Sequence, residues 1–303
     1  VIFYFTYSCF CYWFKTTFLI FYGMEAMKNM KIAILSDVHL DMNSNYVGED
    51  LLPVFVQYLK EKEPDLILIA GDISDHVISS LTILEAIEQR LGVKTLFIPG
   101  NHDVWIKQNE NSLTNYQTFA NHPSSLIDTP YLLSNDYVII GEMGWFDYTL
   151  VAPHIPFQKV KNTLTDWGDH KYTNWGCDHV TLTQRMIEKV EKQLLLHQDK
   201  KIIFATHFVP YREFLSVSNS YMDWNLYNAF MGSSKLGDLL NRHSNVEYVI
   251  FGHTHERFGT TDSHHKKIIC NPLGYIGERS KQVFQQELEQ SVTMIQLKNF
   301  IPS

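Results

Sequence analysis

Five short stretches of the sequence hold the residue types that bind metal ions and move protons. They are Ser36-Asp37-Val38-His39, Gly71-Asp72-Ile73-Ser74-Asp75, Pro99-Gly100-Asn101-His102-Asp103, Thr206-His207 and Gly252-His253-Thr254-His255. Carboxylate, amide and imidazole together form a mixed oxygen and nitrogen donor set with no thiolate. Such a set suits Mn²⁺, Fe²⁺ or Fe³⁺, Co²⁺, Ni²⁺ or Zn²⁺. The donors outnumber the needs of a single tetrahedral ion. They suit two ions about 3.5–4 Å apart that share one carboxylate. Taken one at a time, each stretch has a plainer reading: GNHD as a turn, HxH as a surface or core pair, Asp72 as a helix cap. The argument therefore rests on the elements that bring the five stretches together.

Each stretch directly follows an apolar run of strand length: KIAIL at 31–35, LILIA at 66–70, TLFI at 95–98, KIIFA at 201–205 and YVIF at 248–251. Helical patterns separate the first three runs, LLPVFVQYLKEK at 51–62 and VISSLTILEAIEQRL at 77–91. Pro53 fits a first helical turn and Gly92 a C-cap. The β-α-β-α-β order predicts a parallel sheet with right-handed crossovers. Ligands of open α/β sheets bind beyond the carboxyl ends of the strands, so the five loops are expected on one rim. Gly71, Gly100 and Gly252 let each strand turn sharply beside a ligand. Further strands are expected at 137–141, 267–270 and 292–297, and further helices at 182–197 and 234–242. Residues 144–177 have no clear period and read as an insert or long loop.

Composition narrows the classes. Hydrophobic residues form 45% of the 303 and charged residues 19%, which excludes a mostly disordered chain. The 25 Lys and Arg against 33 Asp and Glu leave a net charge of −8, which disfavours a non-specific polyanion binder. Four Cys without a CxxC motif are too few for a disulfide scaffold and read as reduced thiols. That reading implies a cytoplasmic setting. Residues 1–22 are almost wholly apolar and aromatic, with Lys15 as the one charge. A helix of that length would reach about 33 Å, enough to span a bilayer. Lys15 inside the run, the missing basic region and the missing cleavage site argue against an anchor or signal peptide. Residues 1–29 read as a hydrophobic extension from upstream translation, with a membrane anchor as the alternative, and residues 30–303 as one domain.

The ordered set D-x-H, G-D-x-x-D, G-N-H-D, H and G-H-x-H resembles the calcineurin-like metallophosphoesterase family, in its bacterial phosphoesterase type, over residues 31–275. The resemblance implies an α/β fold of two packed mixed sheets flanked by helices, and a dinuclear metal centre. It implies that Asp37, His39 and His255 hold one ion, that Asn101, His207 and His253 hold the other, and that Asp72 bridges them. It also implies that Asn101 and His102 contact the substrate, that His102 serves the leaving group, and that Asp103 fixes the ring of His102. The implied reaction is hydrolysis of a small phosphodiester or phosphomonoester, with a metal-bridging hydroxide as nucleophile. No Arg follows Gly71-Asp72-Ile73-Ser74-Asp75-His76, unlike the phosphoprotein phosphatases of the same superfamily. A metallonuclease acting on DNA with a partner, or a non-catalytic metal-binding scaffold, are the alternative readings.

Around 144–180 the chain is rich in aromatics: Trp145, Phe146, Tyr148, Trp167, Tyr172 and Trp175. These are expected to form a small core of their own rather than a substrate wall. Nine of the 14 His lie outside the motifs and are expected to be solvated or hydrogen-bonded. Among them His76 has the best position for a substrate contact.

Overall fold

The computed structural model describes residues 28–107, 110–216, 223–278 and 283–300. The apolar extension lies outside the described residues, except for its last two positions. Strand β1 (Lys28–Leu35) begins three residues before the expected Lys31, because it pairs with a C-terminal strand from Lys28 to Ile34, with an irregularity between Lys28 and Met30. Two short helices follow, α1 (Leu40–Val47) and α2 (Leu52–Lys62, with Pro53 in its first turn). Then come β2 (Leu66–Ala70), α3 (Val77–Leu91) and β3 (Thr95–Ile98). Beyond them lie α4 (Ser112–Ala120), β4 (Tyr131–Leu132) and β5 (Tyr137–Gly141). The aperiodic middle contains α5 (Phe157–Leu164) and the single turn α6 (Gly168–Lys171). The second half runs α7 (His179–Leu196), β6 (Lys201–Ala205), α8 (Trp224–Tyr227), α9 (Ser234–Arg242) and β7 (Val246–Phe251). It ends with β8 (Gly259–Ser263), β9 (Lys266–Cys270), α10 (Phe284–Ser291) and β10 (Thr293–Phe300).

The strands form two sheets, in the orders β10-β1-β2-β3 and β4-β5-β6-β7-β9-β8. In the first, β1, β2 and β3 are parallel, and Ile32 pairs with Leu66 and Ile67 with Thr95. In the second, β5, β6, β7 and β9 are parallel, with antiparallel edges β4 and β8. The expected single rim is therefore two rims, since β1, β2 and β3 belong to one sheet and β6 and β7 to the other. Continuous apolar runs suit both, because a parallel strand is covered on both faces.

One apolar cluster draws side chains from both sheets: Ile34, Leu68 and Ile98 from the first, and Ile139, Ile203 and Ile250 from the second. The alternate residues of the same strands, such as Leu35, Ile69, Phe97, Phe204 and Phe251, join the helices in a larger cluster. The result is two mixed sheets packed face to face with helices outside. Gly141 belongs to that contact, since a Cβ there would lie 2.6 Å from Ile98 Cγ2 of the opposite sheet. Among the described residues no helix is long and apolar enough to cross a membrane.

The elements that periodicity missed are short or polar. Helix α1 buries only Leu40 and Asn43, and α5 only Val160. Helix α7 starts three residues before the expected Leu182, because the Asp178 side chain accepts from Thr181 N and caps it.

Ile203 lies on the inter-sheet side of β6 and is fully buried. Ile203→Ala is expected to lower the unfolding free energy by about 2–5 kcal/mol through lost burial and a residual cavity. Urea unfolding followed by circular dichroism measures this, with an unchanged slope if the denatured state is unaffected.

Candidate metal centre

The two rims meet at a buried carboxylate. Asp72 follows Gly71 at the end of β2, and its own carbonyl accepts from His39 N at 2.9 Å. Its Oδ1 accepts from His102 N at 3.0 Å. Its Oδ2 stands 3.5 Å from His39 Nε2 on one side and 3.3 Å from His207 Nε2 on the other. A Cβ on Gly71 would lie 2.5 Å from His207 Nδ1, and one on Gly100 would strike Asp72 Oδ1, so both close approaches need glycine.

Two groups of donors share Asp72. In the first, the ligand atoms of Asp37, His39, Asp72 and His255 lie within 4.8 Å of one another; in the second, those of Asp72, His207 and His253 do so. His39 Nε2 and His255 Nε2 are 3.2 Å apart. His207 donates from Nδ1 to the Ala70 carbonyl at 2.9 Å, which leaves Nε2 facing the cluster, 2.9 Å from Asn101 Oδ1. Asp37 Oδ1 accepts from His253 N at 2.8 Å and ties the end of β7 to the end of β1. Asp37 Oδ2 and His253 Nε2 are buried without a hydrogen-bond partner. Buried polar atoms left unmatched at the meeting point of two donor groups fit divalent cations. Asp37, His39, Asp72, His253 and His255 all have positive φ, between 41° and 73°. Left-handed backbone is costly for residues with a Cβ and persists only where the surroundings fix it, as they do here.

The charges are consistent with such a site. Burial alone would raise Asp72, but the charges of His207 and His102 hold it well below the usual carboxylate range. Burial opposes a proton on His207, yet Asp72, with help from Asp37, raises it to about 10. His102 is raised to about 9, because Asp72 and a hydrogen bond to Asp75 outweigh burial. Burial pushes His39 and His253 well below the ordinary imidazole value. These shifts favour a proton on His207 and on His102 beside the Asp72 carboxylate. A cation that takes His207 Nε2 must displace its proton, so affinity should rise with pH. Titration of Mn²⁺ into stripped protein, in buffers of differing ionisation enthalpy near neutral pH, is expected to show release of at least about one proton. Uptake independent of pH would contradict this.

Carboxylates outside the ligand groups hold the site residues in place. The expectation that Asp103 fixes the His102 ring needs correction. Asp103 is wholly buried and accepts from Ile73 N at 3.0 Å, Ser74 N at 3.1 Å, Gly100 N at 2.7 Å and Ser80 Oγ at 2.5 Å. It pins the loops after β2 and β3 to each other. The partner of His102 Nδ1 is Asp75, at 2.7 Å. Asp75 is the last residue of the G-D-x-x-D motif, which marks it as a motif residue without assigning it to His102. His255 Nδ1 lies 2.7 Å from Glu278 Oε2. The Asn101 amide donates to Asp169 Oδ1 at 2.7 Å, from a segment where the sequence offered no chemistry.

Beside these groups opens a cleft of about 620 Å³. Trp105, Trp167, Trp224 and Tyr275 line it together with His102 and Asn101. The ring of Trp105 packs on His102 with centroids 3.7 Å apart, and Tyr275 Oη is 3.4 Å from His102 Nε2. The aromatics of residues 144–180 divide between two settings. Trp145, Phe146 and Trp175 are buried as expected, whereas Trp167 reaches the cleft wall. His76 is not a wall residue; it pairs with Glu110 at 2.9 Å. His179 is hydrogen-bonded, accepting from Trp145 Nε1 at 2.9 Å.

The fold and site define a metal-dependent phosphoric ester hydrolase. The calcineurin-like phosphoesterase family matches residues 30–257, and the chain belongs to that family. Among solved structures, it is similar to phosphopantetheinyl hydrolase from Mycobacterium tuberculosis, with a TM-score of 0.67 at 15% identity over 89% of this chain and 97% of that one. It is also similar to TT1561 of Thermus thermophilus, with a TM-score of 0.52 at 14% identity over 90% of this chain and 100% of the other. At these identities the likeness is one of fold.

Proposed function

We propose that the protein hydrolyses a small phosphodiester or phosphomonoester at two divalent transition-metal ions. One ion would be held by Asp37, His39 and His255 and the other by Asn101, His207 and His253. The carrying observation is the position of Asp72 Oδ2 between His39 and His207, within both donor groups. The donor set favours Mn²⁺, Fe²⁺ or Fe³⁺, Co²⁺, Ni²⁺ or Zn²⁺. Bound there, the ions would supply Lewis acidity and a lowered pKa for water.

The chain's own contribution follows from its hydrogen bonds. The His102 ring is anchored through Nδ1 on Asp75, and its Nε2 is on the cleft side, near Tyr275 Oη. With a proton on Nε2, the ring can give that proton to a departing oxygen. Asn101 is the further substrate-contacting residue in this reading, since it lines the cleft beside His102. Asp103 acts at one remove, by joining the two loops that present Asp72 and His102. Trp105, Trp167, Trp224 and Tyr275 favour an ester with a flat or apolar group. Residues 30–303 act in this reading as one domain. The free thiols of Cys177 and Cys270 suit a reducing, cytoplasmic setting.

Bis-p-nitrophenyl phosphate and p-nitrophenyl phosphate with added Mn²⁺ test the proposal. Asp72→Asn and His102→Ala are expected to abolish turnover with circular dichroism unchanged. Full activity in either variant overturns the role assigned to that residue. Asp75→Asn is expected to lower kcat by about 10–100-fold, as loss of a hydrogen-bonded supporting carboxylate does. If His102 donates a proton, aryl methyl phosphodiesters with phenyl leaving groups should suffer more than those with nitrophenyl groups. An equal loss across the series would remove the proton-donor role.

A further inference from the structure

The Asn101 side chain is an amide whose oxygen and NH₂ ends have nearly the same shape, and only the oxygen can bind a cation. It is buried, at 3% exposure. Its Oδ1 lies 2.9 Å from His207 Nε2, so a reversed amide would point two N–H groups into the ligand cluster. We propose that Asp169 is a positioning residue that selects the metal-facing orientation of Asn101. The inference rests on the proposed role of Asn101 as a ligand.

A carboxylate only accepts hydrogen bonds, and that of Asp169 is surrounded by donors. Oδ1 accepts from Asn101 Nδ2 at 2.7 Å and Trp105 Nε1 at 3.0 Å, and Oδ2 accepts from Trp167 Nε1 at 2.9 Å. With Asp169 1% exposed, water cannot replace these contacts. Reversing Asn101 would set its oxygen against the carboxylate as well as its NH₂ against His207. The arrangement is packed closely, since a Cβ on Gly168 would lie 3.3 Å from Trp105 Cζ2. Trp105 also packs on His102, so a single carboxylate from α6 governs a metal-facing amide and two cleft-wall indoles.

The test is calorimetric titration of Mn²⁺ into the metal-stripped full chain, which reads metal affinity independently of activity. Wild type is expected to take up two ions. Asp169→Ala should weaken one of the two sites by about 10–100-fold and leave the other nearly unchanged. The decisive comparison uses Asn101→Asp, whose two oxygens are equivalent and need no orientation. In that background Asp169→Ala should cause no loss of affinity. An equal loss in both backgrounds, or no loss in the Asn101 background, overturns the inference while leaving the two-ion reading intact. Uptake of fewer than two ions by wild type overturns that reading, and this inference with it. If Asp169→Ala does not fold, Asp169→Ser, polar but shorter, provides the same comparison.

Discussion

An anion buried between two sheets must be compensated, and Asp72 is that anion. Removing a carboxylate from water costs several kcal/mol unless hydrogen bonds and counter-charges replace the lost hydration. Here the compensation comes from several sides: the His102 amide, the imidazoles of His102 and His207, and behind them the Ala70 carbonyl that orients His207. His102, His207 and Ala70 each arrive on a different strand end. The site is therefore complete only where the two sheets pack together.

That requirement accounts for the unusual backbone. Donors on neighbouring strand ends point along diverging directions unless the chain reverses immediately after the last paired residue. Left-handed φ at Asp37, Asp72 and His253 accomplishes the reversal in a single residue. The conformational cost is met by bonds that cross between loops, such as His253 N to Asp37 Oδ1 and Gly274 N to the Asp37 carbonyl. Asp103, with four donors from two loops and α3, does the same on the other side.

How much of this the sequence reveals differs by kind of interaction. Strands such as Leu66–Ala70 and helices such as Val77–Leu91 are legible because burial on one or both faces writes a period into the chain. The donor motifs are legible because they follow those strands immediately. Asp169 leaves no such trace: it sits in a four-residue helix, and its importance comes from the three N–H groups that surround it in space. Asp75 and Asp103 lie in adjacent motifs and are both acidic, and nothing in the order of residues says which one reaches His102. The division into two sheets was likewise invisible to periodicity, because strands of either sheet read as the same apolar run; it came only from the resemblance.

The pairing of β1 with β10 has a topological consequence. β1 runs toward the site and β10 runs away from it, with Ile34 beside Thr293 and Lys28 beside Phe300. The two ends of the described fold therefore lie next to each other at the pole opposite the cleft. A surface tether or fused partner attached at either end would leave the cleft mouth facing outward. The same adjacency is the geometry that circular permutation of the described fold needs, with Lys28 and Phe300 joined by a short linker and new ends opened elsewhere.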